Sequence, residues 1–247
     1  GLCLRYNEGS GKRDGLWGHV SAYYQHGTST DRLENGGYQD ISAYMIASEM
    51  GVRTLDSDLE LGLGFELMSG RDYSEEDADY HETRHSFDLL YGSRFIYYGG
   101  GMNHFVVQDS HKTGTKGGGY FNPYFTANYQ VTPKTKLNAA VYLPSLTTDV
   151  AAHTGIDPES GKPVGVEMDE NGNPVYWNGS LGTYVDLGMT HKISNDIKLK
   201  SGVSVGSPSD LKNQMVNGYE DVAARKLFDE GTNYYGWVML IVKPSFL

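Results

Sequence analysis

The chain has 247 residues, of which 31 are acidic and 20 are basic, giving a formal net charge of -11. This balance argues against a nucleic-acid partner, because phosphate binding needs concentrated Lys and Arg. The mean hydropathy of -0.47 and the lack of any run of about eighteen apolar residues exclude a membrane protein built of helices. With 32 Gly, 19 Tyr and one cysteine, the composition suits a β protein without a disulfide framework, either a soluble sandwich or an outer-membrane barrel.

An alternation of apolar and polar residues with a period of two predicts β-strands along most of the chain. In chain order, the strand-like runs are 1–6 (a short apolar segment), 16–28, 41–55, 59–68, 119–131, 136–143, 181–192, 197–205 and 232–246. In the run 59–68, for example, Leu and Phe occupy the odd positions, and two Glu, two Gly and a Met occupy the even ones. The pattern predicts an all-β protein with eight to ten strands in this chain.

The predicted strands are long, and the links between them alternate in length. Soluble strands usually have about five or six residues, whereas strands that cross a membrane need roughly 9–11. Turn-forming residues at 56–58, 132–134 and 194–196 alternate with long polar segments at 29–40, 71–117, 149–177 and 208–231. We therefore predict one domain over 1–247, a transmembrane antiparallel up-and-down β-barrel of the bacterial outer membrane with its short links on the periplasmic side.

Three segments between residues 64 and 106 resemble a known family. They read GFELMSGRD at 64–72, FDLLYGS at 87–93 and FIYYGGGMNHFV at 95–106. Their order resembles the signature of alginate-export-type outer-membrane barrels, including Bacteroidetes porins. The resemblance implies a larger barrel of about sixteen to eighteen strands, of which this chain would be the C-terminal half. The alternative is that eight strands close alone, which leaves an interior filled by side chains.

The segment 71–117 has two interpretations in such a barrel. It must cross the membrane an even number of times or not at all, so 95–106 is either part of a further hairpin or a short helix folded into the pore mouth. We favour the helix.

The face opposite the apolar one would line the pore and therefore carries the candidate functional residues. The candidate pore-lining residues are Arg53, Glu60, Glu66, Tyr120, Asn122, Tyr124, Asn128, Lys136, Tyr184, Asp186, Lys198, Lys200, Tyr235 and Trp237. Aromatic rings offer platforms for sugar rings, and amides bind hydroxyls. Few of the 20 basic residues fall at inward positions, which argues against the polyanion alginate as the solute. The simpler interpretation is a hydrogen-bonded network that only stiffens the wall, with the lysines marking the periplasmic rim.

Two loops carry residues that resemble metal ligands. The acidic loop 75–85 contains the weak metal candidates Asp77, Asp79, His81 and His85. A hydrated extracellular loop is the simpler interpretation, so we predict no metal and no cofactor. The segment 169–174 resembles part of a calcium loop but lacks the spacing of the final Glu in an EF-hand, and we predict a turn there.

The sequence carries no G-x-S-x-G elbow, P-loop or H-E-x-x-H motif, so we predict no enzyme and no catalytic residue. The predicted function is a porin-like channel for passive passage of small hydrophilic or saccharide solutes. The alternative is a closed barrel that acts as a scaffold or receptor and binds a partner through long extracellular loops, and a hydrolase embedded in a barrel is a third reading. The expected partners are outer-membrane lipid, the solute, and a second copy or another outer-membrane protein.

Overall fold

The computed structural model describes residues 1–7, 14–32, 37–87, 117–152, 155–156, 163–211, 215 and 232–243. In these ranges the elements are β1 (Leu2–Asn7), β2 (Gly15–Arg32), β3 (Tyr38–Thr54), β4 (Leu59–Met68), α1 (Ala78–His81), β5 (Thr83–Arg84), β6 (Tyr120–Thr132), β7 (Thr135–Tyr142), β8 (Val150–Ala151), β9 (Gly155–Ile156), β10 (Pro163–Val164), β11 (Tyr176–Trp177), β12 (Gly182–Lys192), β13 (Ile197–Pro208) and β14 (Asn233–Val242). Among the described residues, no helix is long and apolar enough to span a membrane.

Nine of these strands form one antiparallel up-and-down sheet. Its order is β1-β2-β3-β4-β6-β7-β12-β13-β14, and the short β5 pairs with β3 in parallel. Eight strands of 8 to 18 residues and a shorter first strand match the predicted pattern, so the all-β antiparallel fold is confirmed. In the described part of the chain no ladder joins β1 to β14, and these two strands are the edges of the sheet.

The three shortest links lie at one rim of the sheet, and the three longest lie between strand ends at the other. Residues 55–58, 133–134 and 193–196 make the short links at one rim, and the strands joined by 69–119, 143–181 and 209–232 end at the opposite rim, which we name the long-link rim. The prediction of a long loop at 29–40 was wrong. The ladder between β2 and β3 continues to the pair Arg32 and Tyr38, because backbone hydrogen bonds extend a hairpin without any apolar alternation.

The long segment between β4 and β6 adds no strand between them. β4 pairs with β6 from Leu59 and Tyr129 to Met68 and Tyr120, so no hairpin of 71–117 separates the two strands. The segment 95–106, for which we favoured a helix in the pore mouth, lies outside the described residues.

The ladders show which residues share a face, because directly opposed residues in an antiparallel pair point to the same side. One row, the apolar row, runs through Val52, Leu61, Ala127, Ala139, Leu187 and Val203. The adjacent row, the polar row, runs through Arg53, Glu60, Asn128, Asn138, Gly188, Gly202 and Trp237. The predicted alternation therefore continues across the sheet and gives it an apolar face and a polar face.

The apolar face is the exposed one. Leu63, Val238 and Leu240 on this face are 62%, 75% and 58% exposed. On the polar face, Asn122 and Tyr184 are 1% and 2% exposed. This distribution is the reverse of that in a water-soluble protein, where large apolar side chains are the buried ones.

The ends of the strands at the short-link rim shift steadily along the sheet. β1 ends at Asn7, opposite Trp17, and so stops two positions before it would reach the level of the polar row at Gly15 and Arg53. β4 begins at Leu59, one residue before its member of the polar row, Glu60. β13 begins at Ile197, five residues before its member of the same row, Gly202. A stagger in one direction accompanies the strand tilt of β-barrels.

A small apolar core lies at the long-link end of the polar face, and we name it the long-link core. Its buried members are Tyr120, Leu146, Val150, Ala152, Trp177, Leu181, Tyr184 and Met215. Tyr120 and Tyr184 belong to the polar face, and the other members come from the long links. A hydrogen bond joins the link 143–181 to this face, since the Tyr184 hydroxyl donates to the Leu181 carbonyl oxygen at 2.9 Å. The described residues of the link 143–181 therefore cover this end of the polar face.

Candidate functional site

The structure places all fourteen predicted pore-lining residues on the polar face. The register pairs are Glu60 with Arg53 and Asn128, Glu66 with Asn122, Tyr120 with Met68, Tyr124 and Tyr184 with Tyr142, Lys136 and Lys200 with Thr190, Asp186 and Tyr235 with Ser204, Lys198 with Lys192, and Trp237 with Gly202. The predicted set therefore shares one surface. Its role as the wall of a pore stays a prediction.

An ion pair lies on this face near the short-link rim. Arg53 Nε is 2.8 Å from Glu60 Oε2, and both side chains are about one quarter exposed. Asn128 Nδ2 donates to the other oxygen of Glu60 at 3.4 Å. The Arg53 guanidinium also lies 5.7 Å from the centre of the Trp17 ring, within the range of a cation–π contact. Because Arg53 offsets the charge of Glu60, this corner of the face is close to neutral.

Two other carboxylates on the face are bound by neutral groups. Thr126 Oγ1 donates to Glu49 Oε1 at 2.8 Å, and the Tyr120 hydroxyl donates to Glu66 Oε2 at 3.2 Å. In the described residues neither carboxylate forms an ion pair with a Lys, Arg or His side chain. These two groups therefore make the β3 and β4 side of the polar face negative.

The lysines of the face lie at its short-link end, on β7, β12 and β13. Lys192 and Lys198 are direct partners beside the link 193–196, and Lys136 and Lys200 both pair with Thr190. Directly opposed like charges destabilise a ladder, so a hydrated surrounding is the environment that suits them. The lysines of the polar face thus lie on different strands from Glu49, Glu60 and Glu66, although Asp186 lies on β12 with Lys192.

Two indole rings on the face occupy the space left by glycines on adjacent strands. A Cβ atom added to Gly51 would lie 2.7 Å from the Trp17 ring. A Cβ atom on Gly202 would lie 2.9 Å from the Trp237 ring. These glycines are required by close contact, because real Cβ atoms do not approach a ring so closely. Sequence analysis missed this feature, whose signal is a Gly on one strand opposite an aromatic residue on the next.

We expect Gly202→Val to destabilise the sheet by about 1–3 kcal/mol, because the new side chain must displace the Trp237 ring. The matched control is Gly236→Val on the apolar face, where the nearest atom to an added Cβ is 3.8 Å away. Urea unfolding of both variants in detergent micelles measures the difference. Equal midpoints for the two variants would contradict the close contact.

The weak metal candidates do not converge on a common point. His81 Nδ1 lies 3.1 Å from Arg71 Nη2, and His81 Nε2 lies 2.6 Å from the Glu75 carbonyl oxygen. Asp77 Oδ1 accepts the Asp79 N–H at 3.0 Å and caps the N-terminus of α1. The side chains of His81 and Asp77 therefore hold the loop together.

His85, the remaining histidine of that loop, stacks on Tyr80 with ring centres 4.1 Å apart and planes 12° apart. Within the ranges that the structure describes, no three His, Cys, Asp or Glu side chains are grouped so that they could hold a metal ion.

The predicted turn at 169–174 is confirmed. Asp169 Oδ1 accepts the backbone N–H groups of Asn171 and Asn173, both at 2.8 Å. The hydrogen bonds from these donors hold the pKa of the Asp169 carboxyl below its ordinary value, and the bond from the Asn173 backbone N–H has the largest effect. Gly172 closes the turn with a φ of 81°, a conformation that glycine adopts without steric cost.

Comparison with family models and with curated proteins gives no relative for this chain. No family model matches it, and no curated protein matches it. The resemblance of 64–106 to alginate-export barrels therefore stays a prediction from its motif residues, and most of the second and third motifs lie outside the described residues.

Proposed function

We propose that the chain belongs to an outer-membrane β-barrel that forms a porin-like channel for the passive passage of small hydrophilic or saccharide solutes. The observation that carries this proposal is the exposed apolar face with a less exposed polar face behind it. Long antiparallel strands with one apolar and one polar face are the arrangement that a barrel wall in lipid requires. The polar face then lines the channel.

The aromatic residues at the ends of the apolar face support a position in a bilayer. On β6, Phe121 and Tyr129 stand near the two ends of this face, and Tyr24 pairs with Tyr44, one position beyond the last pair of the β3 and β4 ladder, Met45 with Met68. The span from Phe121 to Tyr129 is about 26 Å along an extended strand. The apolar band of outer-membrane barrels is about 25 Å tall and is flanked by aromatic girdles.

A membrane position requires the two sheet edges to be paired, because unpaired backbone groups are costly in lipid. Direct pairing of β1 with β14 would give a narrow barrel filled by its side chains. Closure through additional strands would give the wide channel of about sixteen to eighteen strands that the family resemblance implies. We propose the wider barrel, since the polar face carries charges of both signs that need hydration.

The decisive experiment is reconstitution of the purified protein into planar lipid bilayers. We expect discrete conductance steps in potassium chloride, and the size of the steps distinguishes the wide channel from the narrow barrel. The control is the same detergent solution without protein. A protein that inserts, as shown by protection of its strands from protease, and yet gives no steps would overturn the channel.

A second candidate function is supported by the long-link core. The link 143–181 covers one end of the polar face, as a closed barrel that binds a partner through its long loops would require. This scaffold or receptor predicts a protein that inserts without conductance.

A further inference from the structure

We infer that residues 69–87, which we name the latch, fasten the link 143–181 at the long-link rim only while the His81 side chain is neutral, so that acid loosens this rim. The inference deepens the proposed function and rests on it for one point, that this rim is a mouth of the channel and faces water. The latch follows β4 and contains α1 and β5.

The two ring nitrogens of His81 have partners of opposite kinds. Nε2 lies 2.6 Å from the Glu75 carbonyl oxygen, which only accepts hydrogen bonds, so Nε2 carries the hydrogen. Nδ1 lies 3.1 Å from Arg71 Nη2, and a guanidinium only donates, so Nδ1 is the acceptor. The neutral imidazole makes both contacts, and it does so in this one tautomer.

Protonation of His81 removes the contact with Arg71. An imidazolium carries a hydrogen on both nitrogens and cannot accept a bond from the guanidinium. It also places a second positive charge beside that of Arg71, and like charges at short range repel. Histidine changes its charge between about pH 5 and 8. The contact is therefore made at the upper end of this range and is lost as the pH falls through it.

The other charged and titratable groups near His81 come from the latch itself, from β3 and from the link 143–181. They are Tyr38, Asp40, Arg71, Asp72, Tyr73, Glu75, Glu76, Asp77, Asp79, Tyr80, Glu82, Arg84, His85 and Asp149. Within the described residues no carboxylate forms an ion pair with His81. Because carboxylates outnumber guanidinium groups around it, the imidazolium is attracted away from Arg71 once it forms.

Arg71 connects the latch to the link that covers the polar face. Its carbonyl oxygen accepts the Thr148 hydroxyl at 3.0 Å. Two residues further on, the Tyr73 N–H donates to the Asp149 carbonyl oxygen at 3.0 Å. The residue that follows Asp149 in the link is a buried member of the long-link core. A loss of order at Arg71 therefore reaches the residues that cover the polar face.

The contacts of α1 with its other neighbours do not depend on the charge of His81. The Tyr80 hydroxyl accepts the Asp72 N–H at 2.9 Å, and Gln39 of β3 donates through Nε2 to the His81 carbonyl oxygen at 3.4 Å. α1 therefore stays attached to β3 in acid, while the contact between His81 and Arg71 opens. This difference makes His81 the pH-sensitive point of the latch.

The test is limited proteolysis of the purified protein in detergent micelles with proteinase K at about pH 8 and about pH 5. Cleavage sites are mapped by mass spectrometry, and rates are normalised to those of an unfolded substrate. We expect cleavage within 69–87 and within the link 143–181 to be roughly tenfold faster at the lower pH, the effect of losing one hydrogen bond to a charged group. Equal normalised rates at the two pH values would overturn the latch.

Two variants assign the pH dependence to one histidine. The amide oxygen of His81→Asn can accept from Arg71 at either pH, so we expect slow cleavage at both. The matched control is His85→Asn in the same segment, because His85 stacks on Tyr80 and does not contact Arg71 through its ring in the described structure. We expect it to keep the pH dependence. Its loss in His85→Asn, or its persistence in His81→Asn, would contradict the assignment.

A measurement on the unmodified protein keeps the inference testable if His81→Asn fails to fold. Nitrogen-15 NMR of the His81 imidazole should show, at about pH 8, a neutral ring with its hydrogen on Nε2. A hydrogen on Nδ1 at that pH would overturn the latch.

The latch and the channel can fail separately, since neither proteolysis in micelles nor NMR requires conductance. In planar bilayers we expect larger steps at the lower pH, and equal steps at both pH values in His81→Asn. Conductance steps from a protein whose cleavage is the same at both pH values would reject the latch alone. Faster cleavage in acid by a protein that gives no steps at either pH would reject the channel and keep the latch.

Discussion

Replacing Val238 with Arg is expected to destabilise the protein in lipid by about 2–4 kcal/mol. Val238 lies in the middle of β14 on the apolar face, and it is 75% exposed. In a water-soluble sheet, such an exposed position would tolerate Arg within about 0.5 kcal/mol. In a bilayer, the same side chain faces hydrocarbon and must lose its hydration. Denaturant unfolding from phospholipid vesicles measures the change.

The adjacent residue supplies the control for this variant. Met239 lies on the polar face opposite Lys200, so Met239→Arg adds the same charge to the same strand on the other side of the sheet. We expect it to cost less than about 1 kcal/mol, the usual size of a repulsion between opposed like charges. A cost for Val238→Arg no larger than that for Met239→Arg would reject the membrane position of the apolar face.

Leu181→Ala is expected to remove about 2–5 kcal/mol from the packing of the long-link core. Leu181 is fully buried there, and the truncation leaves a cavity between the link 143–181 and the polar face. We expect faster proteolysis within this link and, in planar bilayers, a larger conductance, because the link covers one end of the face that lines the proposed channel.

Leu143→Ala is the matched control for the core variant. Leu143 belongs to the same link but is 51% exposed, so its truncation leaves no cavity. If Leu181→Ala and Leu143→Ala are cleaved at the same rate, the link does not depend on the core. If the unmodified protein gives no conductance steps in bilayers and Leu181→Ala does, the link 143–181 closes the channel, and the scaffold function gains support.

The faces of the sheet could be predicted from the sequence because a strand repeats every two residues, and this period is visible locally. Glu60 must point to the opposite face from Leu59 and Leu61 in any strand, so this assignment does not depend on the rest of the chain. The same reasoning failed at 29–40, where β2 and β3 continue past the apolar region. Hydrogen bonds between two backbones hold that extension, and they leave no mark in side-chain polarity.

The partners across strands could not be predicted, because they depend on the register between distant segments. Thr126 donates to Glu49 across 77 residues of sequence, and the Trp17 ring meets Gly62 on a strand that is not its neighbour. Each register depends on the length and geometry of every link between the two residues. The long-link core was missed for a related reason, since Leu146 and Trp177 stand in segments that read as polar links.

The stagger of the strand ends has a consequence for a solute in the proposed channel. In a closed barrel with this stagger, each row of the ladder climbs around the wall like the thread of a screw. Glu60 on β4 and Lys200 on β13 are nearly level in the ladder but stand at different depths along the axis. A solute that advances through the proposed channel therefore meets Glu60 and Lys200 at successive depths along a spiral, and not as one ring of opposite charges.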